Sequence, residues 1–411
     1  MVAPITANDA FLNAEMDLGL NMLRQSPTTE QLVVSPISII FALAMVQAGA
    51  RGKTRTQINQ VISSGATDDG IINYYSSLSK DISISNEKVE TRIANAFFLN
   101  KEFSIEKQYA DTITGNYSAK VEALDFDNAK QTAQKIDEFV NDATVGRIKD
   151  IVEESTVRGA NSLIINAIYF HGKWQHEFDK FDSRNYPFHS SAVKQRKIKF
   201  MNEEGKKRYY AEDEDMQVLS LPYQDASYAF NILLPKKKFG LEELRKKLNG
   251  TTIKRVLSQL ESTMLGEISI PKMKIETDYK LKEALMAIGV TEMFSDAADL
   301  TGITRSRPLK VSSAAHRALI EVDEGGTTAA AATSVRFILT SGSIYPTNFI
   351  ADHPFIFILT KNHNPLFMGH KDSEAEDFQV HLNIFNSVVE YEASIDLLRL
   401  HPGLLLTLMS I

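Results

Sequence analysis

The chain contains no cysteine among its 411 residues, which excludes disulfide bonds, thiolate nucleophiles and zinc sites built on cysteine. This composition is consistent with a reducing compartment. A strong excess of one charge is also missing, because 45 lysines and arginines accompany 52 aspartates and glutamates and the net charge is -7. Such a balance gives no general attraction to nucleic acids or anionic membranes, and we expect neither as a partner.

Long hydrophobic runs are absent as well. The N-terminus shows no basic stretch followed by an uninterrupted apolar run, so we expect no signal peptide. The most apolar stretch, residues 397–411, is too short to span a membrane and is interrupted by Arg399, His401 and Pro402. The sequence therefore predicts a cytoplasmic protein, with an extracellular location as the alternative.

Motifs of common enzyme classes are missing too. The nine histidines form no HExxH zinc motif, and the chain has no GxSxG turn of a serine hydrolase. The segment QAGARGKT resembles a phosphate-binding loop only at its end, because Gln47 stands where the first glycine is required. We therefore expect no enzymatic activity, no metal site and no cofactor.

Two basic runs, residues 194–200 and 235–238, allow two interpretations. They could form a surface that binds polyanions, or they could be solvated faces of the protein. The net negative charge of the chain favours solvated faces.

Apolar periodicity predicts an α+β protein whose helices and strands follow one another without regular alternation. A buried helix is predicted after Ser35-Pro36, where a capping serine precedes a proline in the first turn. Residues 163–174 are predicted to form a long strand buried on both faces, and residues 355–370 a strand pair. The pattern predicts one body over residues 1–371 and a C-terminal extension of unknown role over residues 372–411.

A segment of small and polar residues between about 324 and 348 has unusual composition. Its alanines favour a short surface helix capped by Thr327 or Thr328, and a long exposed loop is the alternative. If the segment joined a sheet, the odd-numbered residues from Thr327 to Phe337 would share one face, and the single charge, Arg336, would point outward on the other. Such a strand could enter a sheet without burying a charge.

Four separated segments resemble the serpin family, in the order that this family has them. They are SPISIIFALAMVQAGARGKTRTQI, NAIYFHGKW, EVDEGGTTAAAAT and FIADHPFIFIL. The similarity covers most of residues 10–370. Within the family, the chain resembles the intracellular inhibitory serpins. The resemblance implies an α+β serpin fold with three β-sheets, eight or nine helices and an exposed reactive loop at about residues 324–348.

The resemblance also implies roles for individual residues. The hinge of the reactive loop corresponds to Glu324, Gly325, Gly326, Thr327, Thr328, Ala329, Ala330, Ala331 and Ala332. The polar cluster beneath the central sheet, called the shutter, corresponds to Ser35, Ser38, Asn166 and His316. Trp174 resembles the residue of the breach, the top of the sheet where insertion begins. Ordinary core packing is the alternative for His316 and Trp174.

The reactive bond is placed by family spacing between Thr340 and Ser341. The stretch from Ser341 to Pro354 is longer than the family usually has, which leaves other recognition residues open: Arg336, Phe337, Leu339 and Tyr345.

The function implied by the resemblance is that of a suicide substrate, which traps an endopeptidase as an acyl-enzyme when the cut loop inserts into the central sheet. A threonine at the bond argues against trypsin-like targets, and Leu339 would suit papain-like cysteine proteases, so a serine or a cysteine endopeptidase is the expected partner. The alternatives are a non-inhibitory serpin that binds a ligand or acts as a chaperone, a hydrolase, for which no nucleophile with a positioned base is evident, and a scaffold that works through residues 372–411. Heparin is not expected, because the corresponding helix at residues 68–81 is not basic, and we expect a monomer.

Overall fold

A computed structural model describes residues 7–84, 86, 88–327 and 347–372. The helices of this part are α1 (Ala7–Arg24), α2 (Pro36–Gly49), α3 (Gly52–Ser63), α4 (Asp68–Ile82), α5 (Lys107–Tyr117), α6 (Ala129–Ala143), α7 (Glu154–Val157), α8 (Leu241–Lys247), α9 (Gly250–Ser258) and α10 (Leu281–Ala287). Two short 3-10 helices lie at Lys180–Asp182 and Glu292–Phe294.

The strands of the same part are β1 (Leu32–Val34), β2 (Val89–Asn100), β3 (Lys120–Leu124), β4 (Ser162–Lys173), β5 (Arg184–His189), β6 (Gln195–Glu212), β7 (Met216–Pro222), β8 (Tyr228–Pro235), β9 (Glu261–Pro271), β10 (Met273–Tyr279), β11 (Ser313–Val322), β12 (Gly326–Thr327), β13 (Phe349–Ile350), β14 (Phe355–Lys361) and β15 (Asn364–Lys371).

These strands are hydrogen-bonded into two sheets. The six-stranded sheet has the order β10-β11-β4-β2-β3, with β12 beside β4. The nine-stranded sheet has the order β1-β15-β14-β8-β7-β6-β9-β13, with β5 beside β6. The α+β class is therefore as predicted, and ten α-helices occur in the described part where eight or nine were expected, the shortest being a single turn.

The long strand β6 explains why two hydrogen-bonded sheets occur where three were expected. The first part of β6 pairs with β5 over residues 195–200, and its last residues, 209–212, pair with β7. Strand β9 runs along the region between them, opposite residues 200–210. Because backbone hydrogen bonds continue along β6, two of the expected sheets form one ladder.

Helix α2 forms as its sequence predicts. The Ser35 hydroxyl accepts a hydrogen bond from the Ser38 backbone N–H at 3.2 Å, which satisfies one donor of the first turn. Nearly every residue of α2 is buried, so the helix lies inside the main hydrophobic core. Helix α6 ends at Ala143, shortly before two residues of positive φ, Val145 and Gly146.

The six-stranded sheet separates two hydrophobic cores. Ile164, Ile168 and Phe170 of β4 belong to the main core, which includes α2. Leu163, Ile165 and Ala167, which alternate with them, belong to a second core that includes side chains of α6. Strand β4 is therefore buried on both faces, as its continuous apolar sequence predicts.

Candidate functional site

The centre of the six-stranded sheet contains two neighbouring parallel strands. Strand β11 pairs with β4 from Ser313 opposite Leu163 to Leu319 opposite Tyr169. Strand β4 continues to Lys173, so its last residues extend beyond this parallel ladder. A gap between the two strands therefore begins directly after Tyr169.

The chain after β11 turns back into this gap. Asp323 and Gly326 form the bridge of a tight turn, and β12 then pairs antiparallel with β4, with Gly326 opposite Lys173 and Thr327 opposite Gly172. Gly172 is also paired with Val89 of β2. Because β2 occupies one edge of β4 at this level, β12 lies on the other edge, between β4 and β11.

Glycine is required at the point of entry. Gly326 has φ +130°, and a Cβ atom there would lie 2.2 Å from the carbonyl oxygen of Gly172. A side chain would therefore both strain the backbone and push β12 away from β4.

Trp174 closes the top of the gap. Its indole Nε1–H donates to the carbonyl oxygen of Asp323 at 2.8 Å, and its backbone N–H donates to the carbonyl oxygen of Gly325 at 3.0 Å. The ring is 1% exposed and stacks on Tyr223 with 4.5 Å between ring centroids. Trp174 is therefore packed in the core and hydrogen-bonded to the turn at residues 323–326, while its assignment to the breach stays a prediction.

Glu324 is fixed just before the entry point. Its carboxylate accepts hydrogen bonds from Lys272 Nζ at 2.7 Å and from the Ser183 hydroxyl at 2.6 Å. Burial raises the pKa of this carboxyl, but the hydrogen bonds from Lys272 and Ser183 outweigh that effect and hold it below its ordinary value. Glu324 is therefore ionised at neutral pH and fixes the chain directly before β12.

Ser35, Ser38, Asn166 and His316 meet beneath the parallel strands, and all four are fully buried. The Ser35 backbone N–H donates to His316 Nε2 at 3.1 Å, and His316 Nδ1 contacts Asn166 Oδ1. Since Nε2 accepts a hydrogen bond, the proton of the neutral ring must be on Nδ1 and be donated to Asn166. Burial lowers the pKa of His316 to about 3, so the neutral ring is the form present at pH 7.

The amide of Asn166 extends the network toward α2. Its Nδ2 donates to the Ser38 hydroxyl at 2.5 Å and to the Ser38 carbonyl oxygen at 3.0 Å, and it also contacts Asn95 Oδ1. Asn95 lies on β2 directly opposite Asn166, and His316 lies opposite Asn166 on β11. One polar network therefore links three adjacent strands and a buried helix.

Sequence reasoning missed several of these contacts. Asn95 was not singled out, although an asparagine inside the apolar strand RIANAFFLN was a usable signal. Lys272, Ser183 and Tyr223 could not be identified, because each reaches the site from a distant part of the chain.

Other predicted site residues lie outside the described part of the chain. They are Thr328, Ala329, Ala330, Ala331 and Ala332 of the hinge, Thr340 and Ser341 of the reactive bond, the alternatives Arg336, Phe337, Leu339 and Tyr345, and the extension from residue 373 to 411. Thr327 is described only by its backbone pairing.

The two basic runs differ in their surroundings. Lys236, Lys237 and Lys238 form ion pairs with Glu212, Glu243 and Asp352, respectively, each at 2.9 Å or less. That run is a solvated, salt-bridged face, as expected. Arg196, Lys197 and Lys199 of the other run line a cavity.

Two other kinds of site are absent from the described residues. Within residues 7–372, apart from the gaps stated above, no group of three or more histidine, aspartate or glutamate side chains could hold a metal ion. No helix in the same residues has the length and hydrophobicity needed to cross a membrane.

Comparisons with known proteins agree with this geometry. A family model described as serpin (serine protease inhibitor) matches residues 13–372. Leukocyte elastase inhibitor of Equus caballus is 34% identical over 379 residues, which cover 89% of this chain and 97% of that protein. Iris of Ixodes ricinus is 33% identical over 369 residues, which cover 87% of this chain and 97% of that protein.

Solved structures give the same result. Serpin48, described as a highly specific serpin of the insect Tenebrio molitor, matches with TM-score 0.78 and 28% identity over 88% of this chain and 97% of that one. Uncleaved ovalbumin matches with TM-score 0.80 and 27% identity over 89% of this chain and 100% of that one.

Proposed function

The chain belongs to the serpin family, and from this premise we propose that it inhibits a serine endopeptidase as a suicide substrate. Members of this family are typically protease inhibitors rather than enzymes. The observation that carries the proposal is the position of β12, whose two residues already pair with β4 in the gap between two parallel strands.

The register of β12 indicates how the rest of the loop would enter. If pairing continued from Gly326 opposite Lys173, the loop would advance along β4 until Phe337 stood opposite Ser162. Residues of odd number would then share a face with Phe170, Ile168 and Ile164, in the main core. Threonine, alanine and valine at the first five of these inward positions would meet the core without burying a charge.

The second face of β4, opposite the main core, limits how deeply the loop could insert, and the sequence alone does not reveal this limit. In the same register Arg336 would stand opposite Leu163, whose face of the sheet is covered by the second core rather than by solvent. Insertion to full depth would therefore require α6 to move away from β4.

The free energy available from insertion is large. Insertion would replace a parallel ladder of seven residue pairs with two longer antiparallel ladders. At a net value of about 1 kcal/mol for each added hydrogen bond, the gain is on the order of 10 kcal/mol. The uncut form would then be a kinetically trapped state that cleavage releases.

The shutter network opposes this insertion. Asn166 and His316 are linked across the β4–β11 pair, and an inserted strand would separate those strands by about a further 4.8 Å. Thr333 would stand opposite Asn166 in the continued register, so its hydroxyl could take the place of one lost partner. The network would thus hold the gap closed until the cut loop supplies a replacement.

Cleavage is proposed at Thr340-Ser341, a bond that lies outside the described residues. The nucleophilic hydroxyl of the target would attack the Thr340 carbonyl carbon, the bond to the Ser341 nitrogen would break, and the released amine would take up the proton. Thr340 would remain esterified to the protease while the loop inserts. A papain-like protease would form the corresponding thioester.

The test is incubation with a panel of serine and cysteine endopeptidases, followed by denaturing electrophoresis and sequencing of the released peptide. Thr327→Arg should turn the inhibitor into a substrate, because the arginine would lie on the same face of the sheet as Phe170, in the main core, where its unpaired charge would oppose deeper insertion of the loop. The matched control is Thr328→Arg, one residue later, which would project to the half-buried side of His171 and should keep most of the adduct.

Two results would contradict the proposal. One is an undiminished yield of covalent adduct from Thr327→Arg, and the other is cleavage by every protease of the panel without any adduct. The second result would favour the non-inhibitory alternative. A cytoplasmic location and a monomeric state stay predictions from the sequence, which cell fractionation and light scattering would test.

A further inference from the structure

A groove with a volume of about 430 Å³ lies between helices α1 and α3 and also borders the chain directly after α10. Small-molecule sites have volumes of about 300–1,000 Å³, so the groove is large enough for such a ligand. Helix α1 lines it with residues 14, 17, 18 and 21, and α3 lines it with residues 57, 60 and 61. This spacing places each set on one face of its helix, so two facing stripes of side chains form the groove.

Four side chains form the apolar part of the lining. Ala14 and Leu18 are 4% and 2% exposed, whereas Val61 and Ile288 are half-buried. Val61 and Ile288 pack against the main core, so this part of the groove is supported from below. An apolar ligand group that covers these side chains would release the water that now contacts them, which favours binding.

Among the described residues, Asp17 is the only charged side chain in the lining. Its Oδ1 accepts a hydrogen bond from the Gly250 backbone N–H at 2.7 Å, but no basic side chain of the described residues forms an ion pair with it. Arg24, at the end of α1, donates to Asn21 Oδ1 and to the Arg245 carbonyl oxygen instead. A half-buried carboxylate without a cation attracts a positively charged ligand, and the net charge of -7 adds to this attraction.

The neutral polar side chains of α3 differ in whether a ligand could use them. Gln57 is already occupied, because its amide accepts from the backbone N–H groups of Thr291 and Glu292 and donates to the Thr291 hydroxyl. Gln60, one turn further along the same stripe, is exposed, and its amide forms no hydrogen bond within the described residues. Its amide oxygen can therefore accept a hydrogen bond from a ligand.

We propose that this groove binds a small amphipathic amine, with the ammonium group on Asp17 and the apolar part on Leu18, Val61 and Ile288. An ammonium group has only donors, which match the carboxylate of Asp17 and the amide oxygen of Gln60. An anion would meet the carboxylate without any basic side chain in the lining, and a wholly apolar ligand would remove water from the carboxylate without replacing it. The charge of the lining therefore selects the amine. This inference does not depend on inhibition of a protease.

Titration of the full chain with amines, followed by ligand-observed NMR, tests the site. The probes are benzylamine, phenethylamine and hexylamine, and each is compared with the alcohol of the same carbon skeleton. The alcohol keeps the apolar part and the length of the amine but carries no charge. We expect saturable binding of at least one amine, about tenfold tighter than binding of its alcohol.

Substitutions separate the charged contact from the apolar one. Asp17→Asn removes the charge, and its amide oxygen can still accept from the Gly250 N–H, so it should weaken amine binding about tenfold and leave alcohol binding unchanged. Val61→Phe narrows the groove and should weaken binding of both compounds. The matched control is Asp9→Asn, a carboxylate of α1 that pairs with Lys254 and does not line the groove, and it should change neither affinity. Melting temperatures of the variants show whether each one is folded.

Three results would overturn the proposal. The first is the absence of saturable binding of every amine up to about 10 mM, the weak end of specific affinities. The second is equal affinity of the amine for the original protein and for folded Asp17→Asn, which would show that the amine binds elsewhere. The third is equal affinity of the original protein for an amine and its alcohol, which would identify an apolar groove that does not recognise charge.

Discussion

Replacement of His316 by glutamine tests whether the neutral ring is needed at the parallel strand pair. The ring is fully buried, accepts from the Ser35 N–H and donates to Asn166, and burial lowers its pKa to about 3. Glutamine can also accept one hydrogen bond and donate another, but it does not titrate. Comparison of His316→Gln with the original protein therefore isolates the effect of protonation.

The direction of the pH effect follows from the two pKa values. An imidazole in the unfolded chain has a pKa near 6.5, so between about pH 6.5 and pH 3 the unfolded state binds more protons than the folded state. The contribution of His316 is complete above pH 6.5 and decreases as the pH falls through this window. The slope is about 1.4 kcal/mol per pH unit. The loss at pH 4.5 is therefore roughly 3 kcal/mol.

Thermal unfolding between pH 7.5 and pH 4.5 provides the assay. For a body of this size the unfolding entropy is about 0.75 kcal/mol/K, so 1.4 kcal/mol corresponds to about 2 °C of melting temperature. The original protein should therefore lose about 2 °C more per pH unit than His316→Gln below pH 6.5. His370, another buried histidine whose pKa is lowered to about 4, titrates in both proteins and cancels in the difference. Parallel melting curves for the two proteins would refute the reasoning.

Two further substitutions test other parts of the body. Glu15 is fully buried, and burial raises its pKa well above the ordinary value, while the nearby Tyr74 hydroxyl lowers the pKa by less. Its stabilising contribution is therefore complete below about pH 4.5 and is lost as the pH rises, so Glu15→Gln should raise the melting temperature increasingly from pH 5 to pH 8; a constant difference would contradict this. Gly326→Ala should lower the melting temperature, by an amount that corresponds to about 1–3 kcal/mol, because the new methyl group collides with the Gly172 carbonyl oxygen; unchanged melting would show that β12 does not pair as described.

Local patterns were sufficient to predict much of the fold. The cap and the burial of α2, the doubly buried strand β4 and the β14–β15 pair are all encoded within short segments. Such features depend on neighbours a few residues apart, which is the range over which periodicity and capping act.

Contacts between distant segments were not predictable in the same way. Asn95 belongs to the site because β2 pairs with β4, and Lys272 belongs to it because the link between β9 and β10 lies beside Glu324. No local pattern fixes either contact. The joining of two expected sheets through β6 also depends on contacts between distant segments. It results from which residues of this long strand pair with β5, β7 and β9. Sequence spacing alone also could not show that the second core covers the face of β4 on which Leu163 lies.

The parallel pair β4–β11 explains how insertion of the loop could lower the free energy of a protein that already buries this much surface. Both strands run in the same direction and are held by one ladder of seven pairs and by the Asn166–His316 contact. A strand that reaches this gap through a tight turn directly after β11 must run antiparallel to both strands, and β12 enters the gap in that direction. The turn at Gly326 thus fixes the direction and the register of any further insertion before the loop is cut.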